Sequence, residues 1–421
     1  MRLRRNVFLR GMKVRSDQRA PEVRAIYVCP GDPYNSPRGG QTAFAVQALN
    51  AFGGAFALVA PDESGRLPIG EWTLDAWKGS PIWRFNVGSY APRNKGVRPL
   101  IPRRVVFRRL IARRLDAICS LGVRNIFCDS PELLGVLRRR SWDSFCYRFA
   151  GLNNPVGVSR YPVLRALAGL FHRRMIRNLA ALRPDALLAS ADRATIREFE
   201  DANPTLTAVR RLSFFPTRFD PSVYYPGDAE AEANKLGWGD AYPRLTTVGR
   251  LCWVKGLDLA LEAVAALRQE YPAISLRFVG DGEERERLSR KVEALGLTGA
   301  VIFDGFLPPS ETRRRVVAAN LYLVASHREG WSVALAEALA CGKRIVSTRV
   351  SGAGEAISEG ENGFIAVTRD VDEYASAIRR ALKLTTGSGE TSAVSVQKSK
   401  RYSLDGLADE WRSLWAPLRE G

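Results

Sequence analysis

Short β-branched runs alternate with helical patterns through the second half of the chain, and this rhythm restricts the fold more than any other feature. The runs predict strands at 244–249, 274–280, 301–306, 321–326 and 344–350. Between them, apolar residues recur at helical spacing in 256–270, 283–295, 310–319 and 332–341. Strands that alternate with helices in this way form a parallel sheet covered on both faces. The second half is therefore predicted to be a doubly wound α/β domain.

The first half alternates in the same way, with less regularity. Strand-like runs occur at 25–30, 55–61, 125–130 and 186–190, and basic helical patterns cover 102–121 and 163–182. A chain of 421 residues is too long for one ordinary core. We therefore expect two doubly wound domains that face a cleft. The predicted divisions are a basic arm (1–20), a first domain (21–225), a second domain (226–400) and a C-terminal helix (401–421).

The C-terminal segment has two interpretations. Residues 370–384 predict a helix, the polar residues 385–400 predict a flexible linker, and residues 404–418 predict a last amphipathic helix with Trp411 and Trp415. The two tryptophans either pack back onto the first domain or lie at a membrane surface. Packing onto the first domain is the favoured interpretation.

Charge is distributed unevenly along the chain. Residues 1–200 contain 34 Lys and Arg against 15 Asp and Glu, a balance of +19, whereas residues 201–421 contain 29 of each. A basic half favours an anionic partner, which is nucleic acid, acidic lipid or a phosphorylated substrate. Residues 101–118 combine arginines with apolar residues at near-helical spacing. This segment is either a helix that rests on anionic lipid or an internal helix with solvated arginines.

Composition also excludes some classes of site. The six cysteines form no CxxC pair, and there are only two histidines, so we expect reduced thiols and no metal site. The basic N-terminus lacks the apolar run of a signal peptide, and Gln and Gly residues interrupt the uncharged window 39–61. We expect a cytoplasmic protein, either free or attached to the inner face of the plasma membrane.

Four strand-to-helix junctions carry residues suited to an anionic or sugar ligand, because unpaired amides and the helix dipole favour anions at helix N-termini. Gly39 and Gly40 open a helix, where the backbone approaches a ligand closely or simply turns. Arg250 follows a strand and Lys255 precedes a helix. These two residues are either a clamp for a diphosphate or two solvated loop cations.

At the third junction, Gly280 and Gly282 turn into an acidic helix start. Asp281 either caps that helix, or the glycines admit a base ring against the backbone. The pattern does not match GxGxxG, so a dinucleotide site receives little support.

The fourth junction, in the stretch SHREGWSVALAEALACG, contains two acids. Ser332 is a plausible N-cap and Gly342 a C-terminal stop, so Glu337 falls inside an apolar helix and Glu329 in the loop before it. A buried carboxylate is unfavourable unless it is paired or hydrogen-bonded. Either two ribose hydroxyls or a neighbouring arginine would satisfy Glu337.

With these motifs, the chain resembles the retaining glycosyltransferases of the GT-B fold, specifically the group-one (family four) superfamily. EGWSVALAEALACG is similar to the family's E-x7-E signature, and VGRLCWVKG to its G-R-L-x-x-x-K-G element. VGDGEERERL, VIFDGFLP, SGAGEAI and GENGFI follow in the family's order. The similarity is specific from about 244 to 367. In the first half it thins to the Gly39–Gly40 loop and a hinge-like stretch at 214–226.

The resemblance implies two Rossmann-like domains and a retaining, metal-independent transfer from a nucleoside-diphosphate sugar, which is a co-substrate and not a cofactor. By position, Arg250 and Lys255 would stabilise the diphosphate, Glu329 would bind the donor sugar, and Glu337 would bind the ribose. Amides of residues 330–332 would lie near the sugar or phosphate. The catalytic candidates are Glu329, Arg250 and Lys255. The candidate donor-binding set is Gly39, Gly40, Arg250, Lys255, Gly280, Gly330, Trp331, Ser332 and Glu337.

The sequence departs from the family in the first domain. Many members carry a His near the reacting sugar, but residues 126–155 contain none, and the candidates to replace it are Asp129, Asn153 and Asn154. The usual Asn-Gly of the hinge is Thr217–Arg218. These departures indicate either a subgroup with a different first-domain site or a loss of activity.

The leading hypothesis is a retaining glycosyltransferase that acts on a cell-envelope polysaccharide or a lipid-linked acceptor. One alternative is a GT-B-fold pseudoenzyme that binds a sugar nucleotide without transferring the sugar. The other is a basic nucleic-acid-binding protein, which is disfavoured because no recognition motif accompanies the charge. The sequence does not select the sugar, base, acceptor or linkage.

Overall fold

The chain divides into two units in the computed structural model, which describes residues 21–35, 40–89, 101–149, 156–157, 162–183, 185–208, 212–384 and 392–419. The first unit comprises the chain up to Ser190 together with 198–215 and the residues from Leu407 onward. The second comprises 191–197 and 216–406. The long segment of the second unit begins at Pro216, whereas the sequence suggested a division at 225/226. The predicted arm at 1–20 lies outside the described residues.

The strands of the first unit are β1 (Ala25–Val28), β2 (Phe56–Ala60), β3 (Trp72–Trp77), β4 (Ser80–Asn86), β5 (Asn125–Cys128), β6 (Ser144–Phe149), β7 (Leu187–Ser190) and β8 (Leu212–Phe214). The helices from this part of the chain are α1 (Gly40–Phe52), α2 (Arg103–Cys119), α3 (Leu134–Leu137), α4 (Pro162–Ala166), α5 (Ala168–Ala180), α6 (Arg193–Ala202) and α7 (Pro204–Thr207).

The first sheet has the order β3-β4-β2-β1-β5-β6-β7-β8 and is parallel except for the β3–β4 pair. The predicted strands at 25–30, 55–61, 125–130 and 186–190 are confirmed. The β3–β4 hairpin was missed, and its turn residues Lys78 and Gly79 both have positive φ angles, as tight hairpins require. The order of strands reverses between β1 and β5, so the loops that follow these two strands diverge there.

The second unit contains strands β9 (Arg244–Val248), β10 (Ser275–Val279), β11 (Val301–Gly305), β12 (Leu321–Val324), β13 (Arg344–Thr348) and β14 (Gly363–Ala366). Its helices are α8 (Ala229–Lys235), α9 (Leu257–Leu267), α10 (Arg285–Ala294), α11 (Pro309–Ala318), α12 (Val333–Ala340), α13 (Ala353–Ala356), α14 (Val371–Lys383) and α15 (Ala393–Ser399).

The second sheet is wholly parallel, with the order β11-β10-β9-β12-β13-β14. The five predicted strands of this half and the helix predicted at 370–384 are confirmed. The linker predicted at 385–400 is wrong for 392–400, since α15 lies there. The serines of this segment make hydrogen bonds within the protein instead of facing solvent. The Ser392 hydroxyl caps the helix by accepting the Ser395 amide, and the Ser395 hydroxyl donates to the Lys343 carbonyl over 2.7 Å.

Helix α16 (Leu407–Leu414) returns the C-terminus to the first unit. The Trp411 side chain is fully buried, with ring centroids 5.0–5.2 Å from those of Phe44, Phe56, Phe127 and Phe215. The Trp415 indole donates to the Ser144 hydroxyl over 2.7 Å. The favoured interpretation of this segment is therefore confirmed, because both tryptophans belong to the aromatic core of the first unit.

Helix α2 turns its apolar side chains inward. Phe107, Ile111, Leu115 and Ile118 are at most 6% exposed. The structure thus favours an internal helix with solvated arginines, because these four apolar side chains pack on protein; attachment of 101–118 to lipid stays a prediction. None of the helices among the described residues combines the length and apolar character that crossing a membrane requires. All six cysteines are free thiols, as predicted.

Replacing Trp411 by Ala should lower the free energy of unfolding of the first unit by about 3–5 kcal/mol, because truncating a large buried aromatic side chain leaves a cavity. Urea denaturation followed by circular dichroism measures the loss, and hydrogen exchange of first-unit peptides assigns it. The matched control is Trp253→Ala, since Trp253 is 57% exposed, and we expect a change below about 1 kcal/mol. An equal effect of the two substitutions would contradict the core role of Trp411.

Candidate functional site

The candidate site of the second unit lies where the order of strands in its sheet reverses, between β9 and β12. After β9 the chain continues to β10 on one side, while β12 pairs with the other side of β9. Loops that follow neighbouring strands at such a point diverge and leave a crevice, which is the usual ligand site of open α/β sheets. The loop after β9 carries Arg250 and Lys255, and the loop after β12 carries Glu329.

Lys255 and Glu329 form an ion pair across this point. The Lys255 ammonium lies 2.6 Å from the Glu329 carboxylate, which also accepts a hydrogen bond from the Ser326 hydroxyl over 2.6 Å. The two charged side chains are 24% and 11% exposed, so they remain within reach of a ligand. The His327 amide donates to the Val254 carbonyl over 2.8 Å and joins the two loops. The structure therefore brings together two residues that the sequence placed in separate motifs.

Arg250 belongs to the same loop but pairs elsewhere. Its guanidinium lies 2.8 Å from the carboxylate of Glu283, and the Arg250 side chain is 68% exposed. Sequence reasoning missed Glu283, because it treated the acids of VGDGEERERL only as a helix start. The signal was an acid opposite a cation on adjacent loops of one parallel sheet. In the absence of a ligand, each candidate cation of the site therefore faces a carboxylate.

Close backbone packing explains the glycines of the neighbouring loop. Gly280 has φ +140°, and a Cβ there would lie 1.9 Å from the Gly249 carbonyl oxygen; a Cβ on Gly282 would lie 2.2 Å from the Leu251 carbonyl oxygen. Only glycine permits this approach. The prediction that Asp281 caps the helix is wrong, because α10 begins only at Arg285 and the Asp281 carboxylate accepts from the Gly282 amide. The admission of a base ring stays a prediction.

Glu337 lies inside α12, which Ser332 caps by accepting the Leu335 amide over 3.3 Å. Burial raises the pKa of Glu337 to about 7, and a hydrogen bond from the Tyr224 hydroxyl opposes this shift. Among the described residues no cation pairs with Glu337, so the arginine partner considered from the sequence is not formed. Sequence reasoning missed Tyr224. This carboxylate has one hydroxyl partner and retains acceptor capacity for others.

The Trp331 side chain is committed to the structure of the second unit. Its indole donates to the Thr217 carbonyl over 2.7 Å, and its ring centroid lies 4.3 Å from that of Tyr402. A ligand role for Trp331 and Ser332 is therefore restricted to their backbone amides, beside the partly buried Gly330. Gly342 has φ +72° directly after α12, so the predicted stop is confirmed.

The first unit holds a separate cluster at its own switch point, between β1 and β5. Asp129 is 1% exposed. Gln41 donates to the Asp129 carbonyl over 2.8 Å and to its carboxylate over 3.3 Å, and the Tyr27 hydroxyl donates to the carboxylate over 3.4 Å. Burial raises the pKa of Asp129 to about 7. These contacts fix the first turn of α1 to the loop after β5.

The structure describes only some of the other residues predicted for a first-domain site. Gly40 is the exposed first residue of α1, and a Cβ there would meet no atom within 4 Å, so sterics alone do not require glycine. Gly39, Asn153 and Asn154 lie outside the described residues. A substrate role for Gly40 or Asp129 stays a prediction.

Glu337→Gln should flatten the pH dependence of stability. Because the pKa of Glu337 in the folded protein is about 7 instead of its ordinary 4.5, the folded state holds this proton more tightly than the unfolded chain. The stability that this proton contributes is present below about pH 4.5 and is lost as pH rises through about 7. The full effect is about 3 kcal/mol. Urea titrations at several pH values measure it, with the exposed Glu293→Gln as control. If the Glu337 substitution leaves the pH dependence of the free energy of unfolding unchanged, the raised pKa is not that of Glu337.

Comparisons with known proteins find similar sequences and similar folds. The family "Glycosyl transferases group 1" matches residues 228–400. A curated relative, the D-inositol 3-phosphate glycosyltransferase of Acidothermus cellulolyticus, is 30% identical over 209 residues, which are 47% of this chain and 47% of the relative. The chain spans about half the length of the curated relatives it matches.

Solved structures resemble the described fold over nearly its whole length. Sucrose-phosphate synthase from Thermosynechococcus elongatus has a TM-score of 0.72 at 19% identity, covering 94% of this chain and 98% of that one. Anabaena HepE in complex with UDP-glucose has a TM-score of 0.66 at 18% identity, covering 93% and 100%. At these identities the likeness concerns the fold. This fold is GT-B, and the match to the group 1 glycosyltransferases covers residues 228–400, which lie in the second unit.

Proposed function

We propose that this protein transfers a sugar from a nucleoside-diphosphate donor to an acceptor hydroxyl with retention of configuration. The observation that carries this proposal is the Lys255–Glu329 pair at the switch point of the second sheet, next to the helix that contains Glu337. An open site that pairs cations with acids suits a ligand that has both phosphates and hydroxyls. The relatives named glycosyltransferases and the HepE complex with UDP-glucose support the same ligand class.

The donor's diphosphate would exchange partners with the resident carboxylates. Its charge attracts Lys255 and Arg250 away from Glu329 and Glu283, to which they are paired in the free protein. Glu329 is then released to accept hydrogen bonds from the donor sugar. As the bond to the sugar breaks, negative charge grows on the departing nucleoside diphosphate, and cations already in place stabilise it. The pair in the free protein thus holds both side chains in position for this exchange.

Glu337 would bind the ribose of the donor. A carboxylate accepts two hydroxyl hydrogen bonds in its ionised form, and these charge-assisted bonds are strong where water is excluded. Since the pKa of Glu337 in the free protein is about 7, a partly protonated group meets the donor at neutral pH. Donor binding would therefore favour the ionised form and release a proton.

No divalent metal is needed in this proposal. Lys255, Arg250 and the amides at the start of α12 would supply the neutralisation that a metal provides in other transferases. For the acceptor we propose a cell-envelope polysaccharide or a lipid-linked saccharide on the cytoplasmic side of the membrane. The support is the excess of +19 in residues 1–200, which suits a phosphorylated or lipid-borne partner.

A binding protein without transferase activity is the second candidate. It is favoured by the first unit, where residues 126–155 contain no His and where Asp129, one of the three candidates to replace it, is only 1% exposed. The two candidates differ in turnover and not in donor binding, so binding and product release must be measured together.

Lys255→Met should reduce turnover by about 10²–10³-fold with a smaller effect on the donor KM, because its charge acts most strongly on the departing diphosphate. Release of nucleoside diphosphate from a donor sugar measures the loss. Lys235→Met is the matched control, since Lys235 is a 61% exposed lysine of the same unit that also pairs with a glutamate. If both variants turn over like the parent protein, the site assignment is wrong. Donor binding without turnover in the parent protein would instead identify the second candidate.

A nucleotide-sugar that is a donor should raise the melting temperature in a screen of UDP-, GDP- and ADP-sugars. At a concentration of about 100 times Kd, a ligand stabilises the folded state by about 2.7 kcal/mol. The same shift and the same turnover are expected in EDTA. Loss of turnover in EDTA, restored by added Mg²⁺ or Mn²⁺, would contradict metal independence, and Glu337→Gln should weaken the response to the intact donor.

A further inference from the structure

Helices α4 and α5 carry exposed apolar side chains on the first unit. Val163 is 73% exposed, Leu167 is 47% exposed and Leu170 is 58% exposed. Val163 lies in α4, Leu167 is the residue between the two helices and Leu170 lies in α5. Their intervals of four and three residues place them on one side of this helical segment. We call this side the α4–α5 surface. Large exposed aliphatic residues at helical spacing are unusual on a soluble protein and mark an interaction site.

The opposite side of α5 is anchored in the unit. Met175 and Leu179 are at most 2% exposed, and Asn178 is 6% exposed. The Asn178 amide lies 3.2 Å from the position that a Cβ on Gly135 of α3 would occupy. The helix is thus held by one face, while Val163, Leu167 and Leu170 remain on the solvent side.

Cations and no acids accompany the α4–α5 surface. Arg165, Arg173, Arg174 and Arg177 are exposed. Residues 162–183 contain no Asp or Glu, and among the described residues none of these four arginines forms an ion pair. Aliphatic side chains that insert among acyl chains, with arginines beside them at headgroup level, are the pattern of a helix that lies on a membrane.

We propose that the α4–α5 surface docks the protein on an anionic lipid bilayer. Charge complementarity selects this occupant, since four exposed arginines on a segment without Asp or Glu oppose a second copy of the same surface and favour phospholipid headgroups. Nucleic acid fits less well, because its sites combine cations with aromatic stacking platforms, whereas the exposed side chains here are aliphatic. The surface also differs from α2, where Phe107, Ile111, Leu115 and Ile118 are buried and the acid Asp116 is exposed among the arginines.

This docking extends the proposed function, since it would hold the transferase beside a lipid-linked acceptor. Binding to lipid does not require a donor or turnover. Flotation of the ligand-free protein therefore tests the docking alone, and activity assays on soluble donor test the transferase separately.

The experiment is flotation of the full chain with phosphatidylcholine vesicles that contain about 30 mol% phosphatidylglycerol. We expect the parent protein to float at low salt and only weakly with pure phosphatidylcholine. Leu167→Ser with Leu170→Ser, and separately Arg173→Gln with Arg174→Gln, should each reduce partitioning at least about tenfold. High salt should reduce binding of the parent protein without abolishing it, because screening does not act on the inserted side chains.

Two matched pairs serve as controls in the same unit. Ile69→Ser with Ile101→Ser removes aliphatic residues that are 57% and 44% exposed elsewhere. Arg109→Gln with Arg113→Gln removes the same charge from the exposed side of α2. Both should float like the parent protein. Melting curves show that each variant is folded.

Several results would overturn the proposal. These are failure of the parent protein to float at low salt, parent-like flotation of both α4–α5 variants, or an equal loss in the α2 variant, which would indicate diffuse charge attraction. Sedimentation velocity tests the other possible occupant, a second copy of the chain. A dimer that the Leu167 and Leu170 substitutions convert to monomer, with flotation unchanged, would assign the surface to self-association.

Discussion

A parallel sheet sends all its strand-to-helix loops to one edge, and the second unit depends on this constraint. Residues far apart in sequence become neighbours only because β9 and β12 pair at the point where strand order reverses. The Lys255–Glu329 bond spans 74 residues of sequence. The loops after β9 and β10 then pack backbone against backbone at Gly280 and Gly282. The chemistry of the site is thus a consequence of strand order.

The free site is electrostatically satisfied, and this shapes how a ligand must bind. Both loop cations already have carboxylate partners, and Glu337 has the Tyr224 hydroxyl. A ligand gains only the difference between its own contacts and those that it replaces. Such a site discriminates against simple anions, which would neutralise the cations but leave the displaced acids without hydrogen bonds. A molecule that carries both phosphates and hydroxyls would satisfy the two cations, the displaced carboxylates and Glu337 together.

The parts of the molecule that could be predicted from sequence are those governed by local periodicity. Five of the six strands of the second sheet and helices α9 to α12 follow from alternating apolar patterns, whereas β14 was not predicted. The convergence of loops at a parallel edge places Lys255 and Glu329 near each other, but their direct pairing was not predicted. Partners defined by tertiary packing could not be predicted. Tyr224, Glu283 and the Thr217 carbonyl occur in stretches whose local pattern suggests only a hinge or a helix start. The polar composition of 392–400 predicted a flexible linker, but this segment is helical and its serines make hydrogen bonds within the protein.

The same limit applies to amphipathic helices. The pattern of 101–118 shows that one side is apolar but not what covers that side, and the structure shows protein. The segment 163–182 is also basic, but its apolar residues lie on two sides. Protein covers the side with Met175 and Leu179, whereas Val163, Leu167 and Leu170 are exposed. Sequence periodicity thus identifies a face, whereas its occupant depends on the neighbouring elements.

The position of Trp411 has a consequence for the order in which the protein is made. Four aromatic residues of the first unit, the earliest of them Phe44, surround an indole that follows the whole of 216–406 in the chain. The ribosome therefore releases all of 216–406 before the first core can close. During translation the second sheet has every one of its strands while the first still lacks its central aromatic residue. Although most of the first unit precedes the second in sequence, it is completed after the second. A ribosome that stops between 406 and 411 yields a complete second unit joined to a first unit that lacks Trp411.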